Sequence, residues 1–297
     1  VNPALKRLGF GERDRVVIIH ADDVGMCQAS VQAFIELMDF GLVSSGAAMV
    51  PCPWFPLLAR ECRRHQGPPL DLGVHLTLTS EWDGYRWGPI STRDEASGLL
   101  DGEGYFPRRR EDVQEQAQPG AVQAEMEAQI ARALAAGLDV THVDTHMGAV
   151  AHLKFVQGYA RMALEQRLPA LFLRLDEAGW QEMGLDEATA AFAMQFMDQL
   201  EEQGVPLLDN LASLPLLEEP GDRIAAARAA LAALPPGLTH FIIHPAADSP
   251  ELRAITASWP SRVADHRAFT SDELARWVKD SGIQVIGYRP LRDLMRP

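Results

Sequence analysis

The feature that most constrains the fold is an alternation, repeated along the whole chain, of short apolar runs with longer helical stretches. Arg15–His20 reads RVVIIH, a β-branched run suited to a strand buried on both faces. Val31, Phe34, Ile35 and Met38 then recur at helical spacing, with Gly41 placed to stop that helix. The same reading gives strands over Gly46–Val50, Leu72–Leu78, Val140–His146, Ala170–Leu175, Val205–Leu208, Thr239–His244 and Gln284–Tyr288. Helices are expected over Trp54–Gln66, Ala121–Ala136, Leu153–Gln166, Ala188–Gln203, Arg223–Leu234 and Ser271–Ser281. Such an order implies α/β architecture with a parallel sheet. Open doubly wound sheets and closed barrels both satisfy it. Eight units is the closing number, and no GxGxxG turn follows the first strand, which favours a TIM-barrel-like (β/α)-barrel of seven or eight strands. One domain over residues 1–297 is expected, with a long loop insertion at about 79–120 rich in Gly, Asp, Arg and Pro.

Composition excludes several classes of function. The 297 residues carry 27 Lys+Arg against 41 Asp+Glu, a net charge of −14 with no basic block to offset it. That argues against nucleic acid or an anionic membrane as partner. The three cysteines, Cys27, Cys52 and Cys62, are odd in number and lack CxxC spacing, so neither a disulfide framework nor a thiolate zinc site is expected. Charged residues interrupt the first 15 positions, and no apolar run approaches the roughly 18 residues of a spanning helix. A soluble protein of a reducing, cytoplasmic compartment is the expectation, with a homodimer left open.

In parallel α/β folds, ligands gather at the C-terminal ends of strands. Leaving aside His240, which opens one of them, five of the nine histidines fall in or at the end of four expected strands. The first strand ends in His20-Ala21-Asp22-Asp23. Adjacent carboxylates there suit either a helix cap or a metal site in which one acid ligates and the other accepts a proton. His142, Asp144 and His146 share one face of the fourth strand, where an imidazole could ligate and a carboxylate could orient a ring. His75, alone in an apolar strand, is equally a core histidine or a ligand. His244, fixed before Pro245, suits a general acid if it is not a ligand. Arg174, near the end of the fifth expected strand, is a candidate for holding substrate. Trp82, Tyr85 and Trp87 suit either a sugar-ring platform or loop packing. His65 and His152 read as ordinary helix residues, His240 as a residue at the far end of the barrel, and His266 as part of a loop.

The segments HADDVG (20–25), GVHLTLT (73–79), THVDTH (141–146) and FIIHP (241–245) resemble, in order and spacing, the YdjC-like (ChbG/HpnK) carbohydrate deacetylases. LLDGEGYFP at 99–107 resembles the loop before that family's long helix. The resemblance implies a (β/α)-barrel, a divalent metal (zinc or magnesium), and hydrolysis of an N-acetyl group from an amino sugar or oligosaccharide. Carried over by residue, Asp23, His75 and His146 match the metal ligands, Asp22 the general base and His244 the general acid. His142, Asp144 and Arg174 remain as supporting or substrate-holding residues. Two departures stand out: His146 is followed by Met147-Gly148 where the family shows further histidines, and His20 stands where asparagine is commoner. Two rival readings are a metal hydrolase of another amide or ester, and a non-catalytic carbohydrate-binding barrel.

Overall fold

A computed structural model describes residues 2–296. Among these, seven strands form one sheet: β1 (Arg15–Val24), β2 (Ser45–Ala48), β3 (Leu72–Leu76), β4 (Val140–Thr145), β5 (Asn210–Ser213), β6 (Gly237–Ile243) and β7 (Gln284–Val285). All strand pairs are parallel, in the order β4-β3-β2-β1-β6-β5. β7 pairs with Val16 and Val17, at the start of the β1 edge that β2 occupies further along, from His20 to Val24. Isolated parallel bridges from Val143 to Ala170 and from Leu173 to Leu208 carry the pairing from β4 round to the segment entering β5. The sheet therefore curls into a distorted barrel, as the alternation predicts.

The expected strands at 170–175 and 205–208 shrink to those bridges, for local reasons. Phe172 N–H donates to Ala170 C=O, a tight turn that breaks the extended run. Pro206, lacking an N–H, cannot donate to a ladder. The regular strand begins later, at Asn210. The eighth expected strand is two residues long, Gln284–Val285, and the helix Arg289–Met295 starts directly after its expected end.

β1 is the axis of the fold. After Arg15 all its residues are buried, as expected of a β-branched run flanked on both edges and covered on both faces. The helix Gln28–Phe40 packs over it and ends where Gly41 adopts φ 87°, a left-handed conformation that glycine reaches without Cβ strain. Buried apolar side chains form one continuous cluster. No helix among the described residues is long and apolar enough to cross a membrane.

The expected loop at 79–120 is shorter and more ordered than its composition suggests. Only a 3₁₀ turn (Glu95–Ser97) interrupts it before the helix Arg110–Gln116, and the helix Pro119–Ala135 starts inside the expected limit. Arg86 ties the loop to Asp101, Glu103 and the Phe106 carbonyl. The buried Glu125 carboxylate accepts from the Ile90 and Ser91 N–H groups. Between β6 and Ser271 lie two helices with no expected counterpart, Pro250–Ile255 and Trp259–Phe269, the second passing through the His266 segment read as loop.

Candidate metal centre and catalytic site

Asp22 and Asp23 both serve the site because β1 is irregular there. Its register against β2 shifts between Ala21 and Val24, and Asp23 takes φ 60°, a strained conformation for a residue with a Cβ. An undistorted strand would send neighbouring side chains to opposite faces. His75 lies in β3, directly opposite Asp144 of β4. His146 opens the turn after β4, followed by Met147 at φ 53°.

These elements bring Asp23, His75 and His146 together, all buried. Asp23 Oδ1 is 3.0 Å from His146 Nδ1 and 3.4 Å from His75 Nε2, and the two nitrogens are 3.3 Å apart. Asp23 Oδ1 is buried without a hydrogen-bond partner among the described residues. An orphaned carboxylate oxygen facing two imidazole nitrogens is a donor set that can hold a divalent cation. The residues present fit the group.

Each of the three side chains is held from behind. His75 Nδ1 donates to Asp144 Oδ1 at 2.7 Å, leaving Nε2 for the site. His146 Nε2 lies 3.2 Å from both oxygens of Glu81. Arg262 Nη1 donates to Asp23 Oδ2 at 2.8 Å. Burial favours neutral acids, yet Arg262 and then His146 hold the Asp23 carboxyl well below the usual carboxylate range. Burial likewise opposes charge on His146, but Glu81 and Asp23 raise it to about 9; Asp144 and Asp22 raise His75 in the same way.

Asp22 stands beside this trio, Oδ2 3.8 Å from His75 Nε2 and Oδ1 2.6 Å from His20 Nδ1. Burial pushes its pKa up, and His75, the His20 hydrogen bond and His244 more than reverse this, so it is ionised. His244 follows β6. Its backbone N–H donates to Asp265 Oδ2, whose other oxygen accepts from Arg223, while its ring Nδ1 is buried without a partner among the described residues. Burial lowers its pKa against the pull of Asp23 and Asp22.

His142 and Asp144 share the inward face of β4, but of the two only Asp144 touches a member of the trio. His142 lies against His20 in the barrel interior. His240 is mid-strand in β6 rather than at the far end, its ring 4.5 Å from that of His20, because β6 starts earlier, at Gly237. His20, Asp22, Asp144 and His240 form a second converging group, but there Asp22 and His20 already satisfy one another. Arg174 is not brought to the cluster: it pairs with Glu201 at 3.7 Å. Among the loop aromatics, Trp87 is buried with its indole N–H on the Thr79 carbonyl, and Tyr85 donates to the Met26 carbonyl. Loop packing explains both.

Glu81, Arg262 and Asp265 escape the sequence reading. Glu81 lies six residues beyond His75 in an irregular loop, and the other two lie on the unexpected helix Trp259–Phe269.

Comparison with known proteins agrees with the motif reading. The family described as YdjC-like protein matches residues 16–280. A carbohydrate deacetylase of Thermus thermophilus is 35% identical over 272 residues, 92% of each chain. One from Thermoanaerobacter pseudethanolicus is 26% identical, covering 94% of this chain and 100% of the relative. A crystal structure from Enterococcus faecalis, of a proposed cellobiose-phosphate cleavage protein, superposes with a TM-score of 0.73 at 22% identity, covering 94% and 99% of the two chains. That likeness supports the fold.

Proposed function

Because this chain belongs to the YdjC-like family, we propose that it is a metal-dependent carbohydrate deacetylase, releasing acetate from an N-acetylated amino sugar or oligosaccharide. The observation that carries this reading is the orphaned Asp23 Oδ1 facing His75 Nε2 and His146 Nδ1, with ionised Asp22 alongside.

When bound by these three residues, a divalent cation would acidify water and polarise an amide carbonyl. Two imidazoles and one carboxylate suit zinc; magnesium, which prefers oxygen ligands, is the poorer match of the two metals. Asp144 keeps the His75 Nε2 lone pair aimed inward, Glu81 does the same for His146, and Arg262 turns Asp23 Oδ1 toward both. Asp22, hydrogen-bonded through Oδ1, has Oδ2 to accept a proton from the attacking water. His244 is neutral in the free protein, since burial lowers its pKa, and must acquire the proton it passes to the departing amine during turnover.

Acetate release from a panel of N-acetylated amino sugars and oligosaccharides, with and without chelator, tests the reading. Chelator-sensitive release is expected. No release from any member with zinc or magnesium supplied would overturn it. Asp22→Asn should retain metal yet lose most turnover; full activity in that variant would remove Asp22 as base.

A further inference from the structure

Beneath the metal centre the barrel interior contains a run of polar side chains that packing alone does not require. His20 is fully buried in β1, its Nδ1 2.6 Å from Asp22 Oδ1. Its Nε2 lies 2.8 Å from His142 Nε2, a contact one shared proton satisfies. His142 Nδ1 is 2.9 Å from Thr141 Oγ1, and that hydroxyl donates to Asp71 Oδ1 at 2.7 Å. Asp71 is fixed by the Ser45 hydroxyl and the Arg289 backbone N–H. The chain is continuous: Asp22, His20, His142, Thr141, Asp71.

The surrounding fold makes room for it. A Cβ on Gly73 would lie 2.5 Å from the His142 ring, so the glycine of β3 leaves space that the imidazole fills. Tyr288 stacks on His142 with ring centroids 3.8 Å apart, and its hydroxyl lies 2.7 Å from His240 Nδ1. His20 can therefore neither rotate nor withdraw without breaking several contacts.

The geometry points to His20 as the positioning residue for Asp22, anchored through His142 and Thr141 to Asp71. This rests on the deacetylase reading, in which Asp22 is the base. A carboxylate is free to rotate about its Cβ–Cγ bond, and either oxygen could face the site. Binding Oδ1 to His20 leaves Oδ2, 3.8 Å from His75 Nε2, as the oxygen presented to water. His20 need not touch substrate to matter for turnover.

The test compares His20→Phe, which keeps ring volume but removes both nitrogens, with His20→Asn, whose amide can still donate to Asp22, and with Thr141→Val, which cuts the chain at a distance. Acetate release is measured alongside bound zinc and the imidazole N–H resonances of ¹⁵N-histidine-labelled protein. His20→Phe should lower kcat by about tenfold to a hundredfold, the worth of a hydrogen bond to a charged group, with KM and zinc content changed less than about twofold. His20→Asn should recover most of that loss. Wild type should show a downfield, exchange-protected His20 Nδ1–H that Thr141→Val shifts and His20→Phe removes. Unchanged kcat in His20→Phe overturns the proposal. So does equal impairment of the Phe and Asn variants in step with lost melting temperature, or absence of the resonance. Should the wild type itself release no acetate, the deacetylase reading falls and the catalytic role of His20 with it, while the resonance still decides whether the pair exists.

Discussion

Arg262 Nη1 donates to Asp23 Oδ2 at 2.8 Å across 239 residues of sequence, and both side chains are 3% exposed. Removing one partner of a buried pair costs about 3–5 kcal/mol when the other charge is left unpaired, and the low end applies here because His146 still faces Asp23 at 3.0 Å. Arg262→Met should therefore lower the stability of metal-free protein by roughly 3 kcal/mol. A bound divalent cation supplies positive charge to the same carboxylate. Zinc at about a hundred times its Kd adds about 2.7 kcal/mol by linkage, so zinc should recover much of the loss. Urea denaturation with chelator and with zinc checks this; a variant as stable as wild type in chelator would mean that the pair is not what holds Asp23.

Among the proposed metal ligands Asp144 touches His75, whose Nδ1 it binds at 2.7 Å. Fixing that nitrogen fixes the tautomer and raises the basicity of Nε2. Asp144→Ala should weaken metal binding by about tenfold to a hundredfold, and Asp144→Asn, which keeps an acceptor but no charge, by less. Competition against a fluorescent zinc chelator measures both. Wild-type affinity in the alanine variant would show that His75 is oriented by something else.

A third prediction concerns pH and lies away from the site. Burial favours the neutral form of Asp139, but hydrogen bonds from Arg289 and Arg292 hold its carboxyl below the usual range. A depressed folded-state pKa gives stability that is present above the unfolded value and lost as pH falls through the folded one. With the side chain 58% exposed, solvent screening limits the contribution to no more than about 1 kcal/mol. Asp139→Asn should thus be slightly less stable than wild type at pH 7, and the gap should close below about pH 4. A gap that persists unchanged in urea titrations at pH 3 contradicts the linkage.

The legible parts of the site stand out by where they fall. Asp22 and Asp23 close a β-branched apolar run and His146 follows the polar face of His142 and Asp144, so strand-end placement marks them as candidates, whereas His75 stays open between core and ligand until the motif resemblance groups it with them. Their supporting partners have no such contrast. Arg262 and Asp265 sit in WPSRVADHRAF, where charges look like an ordinary solvated face, and Pro260 reads as a breaker although proline suits a helix's first turn. Asp265 is wholly buried against Arg223 and His244, a fact set by tertiary packing alone. The same holds for the interior: the depth of His240 is decided by strand length, which residue type does not reveal. The expectation for Arg174 depends on a strand that Pro206 and the turn at Phe172 reduce to single bridges.

His244 offers the most direct chemical discrimination. If it protonates the departing nitrogen, its loss should matter in proportion to how badly the leaving group needs a proton. An amine leaving group needs one; p-nitrophenolate does not. General acid catalysis contributes about a hundredfold or more, so His244→Gln should lose roughly that factor in kcat on an N-acetyl amino sugar and far less on p-nitrophenyl acetate. The backbone N–H of residue 244 still reaches Asp265 in the variant, so the strand end should stay in place. Equal losses on both substrates would assign His244 to orienting substrate or water instead of to proton transfer.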